Sequence, residues 1–349
     1  MYIGFYSFYK SYNGNKMLVD PSSPIGDDLA YSTVHLGARL RELGHRCATI
    51  DMDDLGKFDV VIFLDHPTYL NSYFRRLTIF TDKRPLLYLV IAENPALRPD
   101  NYWKSGHLVF EKVFTWHSEL VDENKYIKCC LPNRVPSPFK IDQEKKRRFC
   151  ATIASQKYSA HSAELYSERI RAIRWFEENH PADFDLYGTY WDRWWFKGQL
   201  SRLNLFLAPL YRRMPGLGRC MRFPSWRGSV PRKRDVLSQY KFSICYENAV
   251  FPGYITEKPF DCWFAGCIPV YLGAPDVLRF IPEGTFIDKR KFRNYQDLYR
   301  YMKTMTDVEY QGYLVAIESF VNSEAIRPFS AEGFADTIIR HVIPDEGRS

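Results

Sequence analysis

Short apolar runs alternate with amphipathic segments along the first third of the chain. Continuous apolar runs are typical of strands buried in a parallel sheet, whereas apolar positions three to four residues apart indicate helices. The pattern predicts strands at 2–8, 47–51, 60–64, 86–92 and 112–115, and helices at 27–43 and 69–80. Strands that alternate with helices in this way favour βαβ units.

The alternation is interrupted by a proline-rich stretch, 131–139, and the charged run 142–148. A composition shift of this kind usually marks a linker. Beyond it the pattern predicts strands at 149–154, 183–187, 242–246 and 267–272, and helices at 163–179 and near 311–321. Two α/β units joined by a linker predict two facing Rossmann-like domains with a cleft between them. We place the domains at 1–140 and 141–325, followed by a tail, 326–349, for which packing back on the first domain is one alternative.

The segment 240–275 contains two of these strands, a glycine-punctuated loop and a helix start. Thr256 can cap this helix, and Glu257 and Lys258 fall in its first turn. Gly266 ends it. Backbone N–H groups at a helix N-terminus above the carboxyl end of a strand favour an anion. The segment therefore predicts a binding place for a ligand that carries phosphate.

This segment resembles the donor-binding signature of glycosyltransferase family 10, the α-1,3-fucosyltransferases, in their bacterial type. The signature elements stand here as Tyr240-Lys241-Phe242, Glu247-Asn248, Tyr254-Ile255-Thr256-Glu257-Lys258, Ile268-Pro269-Val270 and Gly273-Ala274-Pro275. The match is dense over 240–275 and diffuse elsewhere. The resemblance implies the GT-B architecture, with an acceptor-binding N-terminal domain and a GDP-fucose-binding C-terminal domain.

The resemblance also implies roles for single residues of the signature. Lys258 would neutralise the donor diphosphate, and Glu257 would accept hydrogen bonds from ribose hydroxyls. Tyr254 and Asn248 would line the donor pocket. Glu247 is a further candidate that could instead hold the loop in shape. The alternative for Glu257 and Lys258 is an ordinary charged first turn of a helix.

Glu93 is the candidate general base. It follows the apolar run 85–92, which places a carboxylate at the carboxyl end of a buried strand. Ala92-Glu93-Asn94-Pro95 resembles the G-E-N-x-x-P element of the family, with Ala in place of Gly and the proline displaced. The resemblance implies that this glutamate deprotonates the acceptor. The alternative is a glutamate that caps a loop.

Arg169 is the second candidate for the diphosphate. On a helix it shares an apolar face with Leu165, Ala172, Ile173 and Phe176, whereas Arg171 points the other way. An arginine in an apolar stripe needs an anionic partner. The run 167–171 resembles the region of the family whose arginine contacts the diphosphate. Arg171 remains the runner-up, and a structural salt bridge to Glu168 or Asp183 is the alternative for Arg169.

The formal charge of +7 is concentrated in one segment, 193–234, which holds eleven basic residues and no acidic one. Trp, Phe and Leu are interleaved with these basic residues. Such a combination is typical of an element that lies on anionic lipid, and the alternative is a partly buried insertion with solvated charges. We expect no nucleic acid partner, because no recognisable reading motif is present.

The sequence predicts no metal site. Asp51-Met52-Asp53 has the D-x-D form but ends an early strand, far in sequence from the donor signature, and the eight histidines show no ligand spacing. The eight cysteines form no C-x-x-C pair, so we expect buried free thiols. No cofactor is expected beyond the donor substrate GDP-fucose, and a divalent metal is not expected to be essential.

No secretory signal and no apolar window long enough to span a membrane is visible. The expected location is the cytoplasm, with peripheral contact at the inner face of the cell membrane if 193–234 binds lipid.

The leading hypothesis is an inverting fucosyltransferase. It would form an α-1,3 or α-1,4 linkage to GlcNAc or Glc of a glycan acceptor, which could be lipid-linked, in bacterial surface polysaccharide or lipopolysaccharide synthesis. The alternatives are a GT-B enzyme that uses another nucleotide sugar, and a basic module that binds membranes or polyanions without catalysis.

Overall fold

The structure is a computed structural model that describes residues 1–22, 28, 30–68, 70–79, 84–142, 146–214, 216–217 and 222–344. Its strands are β1 Tyr2–Ser7, β2 Arg46–Thr49, β3 Val60–Leu64, β4 Leu86–Ile91, β5 Lys112–Thr115, β6 Tyr126–Lys128, β7 Arg148–Ile153, β8 Phe184–Tyr187, β9 Tyr240–Tyr246, β10 Ile268–Leu272 and β11 Ile287–Asp288. Its α-helices are α1 Lys16–Val19, α2 Tyr31–Glu42, α3 Ser72–Ile79, α4 Tyr166–Asn179, α5 Asn204–Arg213, α6 Lys233–Leu237, α7 Glu257–Phe264, α8 Tyr295–Thr304, α9 Asp307–Val321 and α10 Ala331–Val342.

The chain divides into two compact units. The first consists of Met1–Val135 and Glu324–Ser349, and the second of Pro136–Ser323. The sequence analysis placed the divisions after residues 140 and 325, inside the second unit and inside the returning segment of the first.

The first unit is built on a parallel six-stranded sheet of order β2-β1-β3-β4-β5-β6. Its central strands were predictable because they are continuous apolar runs that are buried on both faces. The short strand β6 was missed, since its three residues give no periodic signal. The beginning of the helix predicted at 27–43, and both ends of the one predicted at 69–80, fall on residues outside the described ranges.

The C-terminal helix α10 packs on this sheet. Phe334, Ile338 and Val342 join the core cluster that also contains Ile3 and Val60. The tail therefore belongs to the first unit, which was one of the alternatives for it.

The second unit is built on a parallel five-stranded sheet of order β11-β10-β9-β7-β8. Its first strand, β7, lies between β8 and β9, so the strand order reverses between β7 and β9. Ligands of open α/β sheets bind outside the carboxyl ends of the strands at such a reversal. Three helices of this unit were missed, α5, α6 and α8, and α9 begins four residues before the range predicted for it.

Candidate active site

Glu247 connects the end of β9 to the beginning of α7. Its side chain has no exposed surface. Oε1 accepts a hydrogen bond from the backbone N–H of Thr256 at 2.8 Å, and Oε2 accepts one from the Thr256 hydroxyl at 2.7 Å. Oε2 also lies 3.1 Å from Nζ of Lys258. Glu247 thus holds the loop 247–256 in shape, as the alternative reading of this residue proposed.

The predicted N-cap of α7 has the right position, but the predicted hydrogen bond from the helix to the cap side chain is absent. Thr256 stands at the N-cap position, but its hydroxyl makes no side-chain cap hydrogen bond to the helix. The hydroxyl donates to Glu247 and accepts a hydrogen bond from Nζ of Lys258 at 2.8 Å. A cap requires the hydroxyl oxygen to accept a hydrogen bond from a backbone N–H of the helix, and here that oxygen accepts from Lys258 instead.

Lys258 keeps its charge in this setting. Its Nζ lies between Glu247 and Glu257, whose Oε1 is 3.7 Å away, and a fifth of its side chain is exposed. Burial disfavours the ammonium form, but the two carboxylates outweigh burial and raise the pKa of Lys258 above its ordinary value. The lysine is therefore a protonated, partly accessible cation.

Glu257 carries a negative charge on the same helix turn and is 39% exposed. Burial favours its neutral form, but Lys258 and Lys233 outweigh burial and hold the pKa of Glu257 well below its ordinary value. Lys233 Nζ lies 3.5 Å from Glu257 and 2.6 Å from Asp261. The sequence analysis missed Lys233 and Asp261; the only signal was the spacing of four residues between Glu257 and Asp261, which puts them on one face of a helix.

Arg169 lies on α4 at the carboxyl end of β9. Its Nη2 donates to the carbonyl oxygens of Tyr246 at 2.8 Å and Glu247 at 3.3 Å, and lies 3.5 Å from Oδ1 of Asn248. Burial lowers the pKa of this guanidinium. The predicted apolar face is confirmed, since Leu165, Ala172, Ile173, Phe176 and Arg169 itself are buried.

The two carboxylates considered as salt-bridge partners of Arg169 pair with other cations in the structure. Glu168 pairs with Arg171 at 2.5 Å, and Asp183 pairs with Lys303 at 2.8 Å. The side chain of Arg171 is 70% exposed, because it points away from the apolar face of α4. The structure thus places Arg169 beside Glu247 and Asn248, and leaves Arg171 on the outer surface of the helix.

The remaining signature residues form the wall of the same loop. The backbone carbonyl of Asn248 accepts a hydrogen bond from the Leu165 amide at 3.0 Å, and that of buried Tyr254 accepts one from the Tyr271 hydroxyl at 3.4 Å. Gly273 permits this packing, because a Cβ there would lie 2.5 Å from Cγ of Glu247. Six residues singled out from the sequence therefore gather in the second unit: Arg169, Glu247, Asn248, Tyr254, Glu257 and Lys258.

Glu93 belongs to the first unit and follows β4, as predicted. Its backbone is fixed on both sides. The amide donates to Oδ1 of Asp65 at 3.0 Å, and the carbonyl accepts from Nδ2 of Asn101 at 3.2 Å and from the Tyr102 hydroxyl at 3.0 Å. Burial together with the negative charges of Glu93 and Asp65 raises the pKa of Tyr9 to about 12.

Asp65 organises this region and was missed from the sequence. It is buried at the carboxyl end of β3, has a φ of 61°, and accepts hydrogen bonds on Oδ1 from Ala92, Glu93 and Asn101. Burial raises its pKa, against the lowering effect of those hydrogen bonds. A polar residue directly after a buried strand was the only signal available in the sequence.

Comparison with known proteins identifies the donor region. Residues 212–321 match the family described as "Glycosyltransferase family 10 (fucosyltransferase) C-term". This range of the chain is therefore similar to the C-terminal part of fucosyltransferases of that family. The matched range covers Glu247, Asn248, Tyr254, Glu257 and Lys258, whereas Glu93 and Arg169 lie outside it.

Curated relatives match this chain over segments of 75 and 79 residues. The alpha-(1,3)-fucosyltransferase FucT of Helicobacter pylori is 39% identical over 75 residues, 22% of this chain and 16% of that protein. The alpha-(1,4)-fucosyltransferase of Arabidopsis thaliana is 39% identical over 79 residues, 22% of this chain and 20% of that protein. The aligned segments thus span a fifth or less of the length of these relatives.

Solved structures agree over nearly the whole chain. An alpha1,3-fucosyltransferase crystallised with GDP-fucose matches with a TM-score of 0.54 and 14% identity, over 99% of this chain and 91% of that one. Alr3699/HepE of Anabaena, crystallised with UDP-glucose, matches with a TM-score of 0.54 and 10% identity, over 98% and 99% of the two chains. At these identities the similarity shows the fold, which is the two-domain α/β fold of GT-B glycosyltransferases.

The basic segment, 193–234, is partly engaged in contacts within the protein. Arg193 donates from Nη1 to the carbonyl of Leu217 at 3.2 Å, Arg227 pairs with Asp185 at 2.6 Å, and Lys233 pairs with Asp261. Arg193, Arg227 and Lys233 thus contact other parts of the protein, whereas lipid binding by the segment stays a prediction.

Both aspartates of the D-x-D sequence have partners within the first unit. Asp51 Oδ2 accepts a hydrogen bond from the Gly14 amide at 2.9 Å, and Asp53 pairs with Lys57 at 2.7 Å. Within the described ranges no group of three or more His, Cys, Asp or Glu side chains could hold a metal ion. In the same part of the chain, no helix combines the length and apolar character needed to cross a membrane.

Proposed function

We propose that this protein transfers L-fucose from GDP-fucose to a hydroxyl group of a glycan acceptor, with inversion at the anomeric carbon. The observation that carries the proposal is that Arg169 and Lys258 both contact the Glu247 region at the carboxyl end of β9, and Lys258 lies inside the range that matches a fucosyltransferase family. Two cations at the strand-order reversal suit the diphosphate of a nucleotide sugar.

The donor contacts follow from the charges on the site. Arg169 uses Nη2 for the hydrogen bonds that fix it to the loop, so the proposal assigns the rest of the guanidinium to the diphosphate. Protonated Lys258 supplies a second positive charge. Glu257, ionised and partly exposed, is suited to accept hydrogen bonds from ribose hydroxyls, with Asn248 and Tyr254 lining the pocket. Glu247 acts through Lys258 and Thr256 and is a positioning residue.

The reaction is a single displacement. The acceptor oxygen attacks the anomeric carbon as the bond from that carbon to the GDP oxygen breaks, and the acceptor proton passes to the Glu93 carboxylate. GDP leaves with its added negative charge beside Arg169 and Lys258. A β-linked donor then gives an α-linked product. Since the two cations can carry the leaving-group charge, we propose that no divalent metal is essential.

The acceptor and the setting are proposed from the relatives. Their names specify α-(1,3) and α-(1,4) transfer, which suggests GlcNAc or Glc as the acceptor sugar. We place this reaction in bacterial surface polysaccharide or lipopolysaccharide synthesis at the cytoplasmic side of the membrane, where acceptors are lipid-linked.

The second candidate is a GT-B enzyme for another nucleotide sugar, which the similarity to a protein crystallised with UDP-glucose keeps open. Titration calorimetry with GDP-fucose, GDP-mannose and UDP-glucose separates the two. The proposal predicts tightest binding of GDP-fucose and, with a panel of galactose- and GlcNAc-containing acceptors, a fucosylated product that still forms in EDTA. Preference for another donor, or activity that returns only when Mn²⁺ or Mg²⁺ is added, would contradict it.

A further inference from the structure

Helix α5 presents its apolar side to solvent. Leu205 is 74% exposed, Phe206 77% and Leu210 40%, whereas Asn204 and Tyr211 on the opposite side are buried. At 100° per residue, Leu205, Phe206 and Leu210 share one face of the helix, and exposed Arg213 lies on the same face. A surface helix of a globular protein normally buries its apolar stripe. Helix α5 instead exposes its apolar residues and buries the polar residue Asn204.

The residues that flank α5 extend this apolar surface. Trp194, Leu200, Leu203 and Met214 are also exposed large hydrophobic residues. Single exposed residues of this kind are normal, but a group of them marks a binding surface. We call residues 194–214 the apolar hairpin.

Contacts on the inner side hold the apolar hairpin in place. The Asn204 side chain accepts a hydrogen bond from the Phe196 amide at 2.9 Å and donates one to its carbonyl at 2.8 Å. The Tyr211 hydroxyl donates to the Trp194 carbonyl at 2.8 Å, and its ring packs edge-on against Trp195 at 6.0 Å. The outward face is therefore fixed by specific hydrogen bonds and ring packing.

The charged residues around this face are all basic. Lys197, Arg202 and Arg213 are exposed within the apolar hairpin, and no acidic residue occurs in the sequence from 193 to 234. Arg193 and Lys233, by contrast, are engaged within the protein, and Arg227, although exposed, pairs with Asp185. Exposed positive charges thus accompany the exposed apolar side chains within the apolar hairpin.

We propose that the apolar hairpin attaches the protein to an anionic lipid bilayer. Helix α5 lies in the plane of the interface, with Leu205, Phe206 and Leu210 entering the boundary between headgroups and acyl chains, and with Lys197, Arg202 and Arg213 at the lipid phosphates. The inference rests on exposure and charge alone and holds whatever the donor sugar is.

Other occupants fit these observations less well. A second copy of the chain in a two-fold contact would place the same cations against each other. A nucleic acid would meet the cations but would leave the Leu and Phe side chains without a role. An anionic bilayer satisfies both the apolar and the basic components.

Co-sedimentation with vesicles tests the proposal. The protein should sediment with phosphatidylcholine vesicles that contain phosphatidylglycerol, and binding should fall at least tenfold with phosphatidylcholine alone or in high salt. Replacing Leu205, Phe206 and Leu210 together by Ser should also reduce binding at least tenfold. Replacing Lys197, Arg202 and Arg213 by Gln should reduce it roughly 100-fold, since each cation near an anionic surface is worth about a factor of five.

Matched controls use exposed residues elsewhere in the chain. Leu278→Ser with Val308→Ser, and Arg39→Gln with Arg279→Gln and Arg300→Gln, should bind as the unmodified protein does. Circular dichroism and thermal unfolding identify any variant that has lost its fold, and Phe206→Ser alone gives a milder test.

Three results would overturn the proposal. The first is an unmodified protein that stays in the supernatant with anionic vesicles at low salt, and the second is an equal loss of binding in the control variants. The third is a dimer that dissociates in Phe206→Ser, because it would show that a second copy covers this face. Binding to an RNA or DNA oligonucleotide without binding to vesicles would also count against it.

Discussion

Lys258 lies 3.1 Å from a glutamate, Glu247, whose side chain has no exposed surface. The sequence indicates a free point charge for the donor, whereas the structure shows a cation already held by a buried anion. This pair keeps Lys258 protonated and fixes its position beside Arg169, whose charge also acts on it. Glu247 therefore offsets the electrostatic free energy of placing two cations near each other in the ligand-free protein.

Glu247→Gln should destabilise the protein by roughly 3 kcal/mol, because it leaves the largely buried Lys258 ammonium without its nearer, buried anion. Urea unfolding measures the loss. Glu257→Gln is the matched control. Because the Glu257 side chain is partly exposed, this substitution should lower the free energy of unfolding by less than about 1 kcal/mol. Equal stability of Glu247→Gln and the unmodified protein would show that the pair contributes little.

Asp65→Ala should lower turnover with little change in affinity for GDP. The substitution removes the acceptor that fixes the Glu93 amide and the Asn101 side chain, and a lost buried hydrogen-bond acceptor costs about 1 to 3 kcal/mol, or roughly 5- to 150-fold in rate. Asp65→Asn keeps an oxygen at this position and should recover part of the loss. A change in GDP affinity as large as the change in turnover would contradict the assignment of Asp65 to Glu93.

The buried strands were predictable because parallel strands covered on both faces are continuous apolar runs. Arg169 was predictable for a related reason, since a single cation on an apolar helix face is visible in the periodicity. The capping role of Thr256 was predicted wrongly because local pattern does not reveal a tertiary acceptor such as Glu247.

Helix α5 was missed for two reasons. Pro209 stands inside it, and its apolar residues face solvent, so neither helix propensity nor burial gives the usual signal. Asp65 was missed because a polar residue after a strand does not show which neighbouring amides it accepts from. Such tertiary relationships emerge only when the strand order is known.

Arg169→Ala should weaken GDP binding by about 1.5 to 3 kcal/mol, the range for a charge-assisted hydrogen bond. Calorimetry measures the effect. Arg171→Ala, two residues away on the exposed side of α4, is the control and should leave the affinity unchanged. If Arg171→Ala weakened binding and Arg169→Ala did not, the diphosphate would have to lie on the outer side of the helix.

Asp261 should make stability depend on pH. Burial raises the pKa of its carboxyl to about 7, with Lys233 opposing and Glu257 supporting the shift. An acid with a raised pKa binds more protons in the folded state, so its stabilising contribution is complete below pH of about 4 and is lost as pH rises through about 7.

Asp261→Asn removes this titration. The difference in unfolding free energy between variant and unmodified protein should therefore shift in favour of the variant between pH 5 and 8, on top of a constant loss of the Lys233 contact. Urea unfolding across that range checks the slope. A difference that does not change with pH would show that Asp261 stays ionised throughout.

Transfer of fucose from GDP-fucose by the Glu93→Gln variant tests the central claim most directly. A general base contributes about 10²- to 10⁴-fold, so turnover should fall by that factor while calorimetry shows nearly unchanged GDP binding. Glu111→Gln, an exposed glutamate of the same unit, is the control and should be fully active. Turnover of Glu93→Gln close to that of the unmodified enzyme would contradict the assignment of Glu93 as the base.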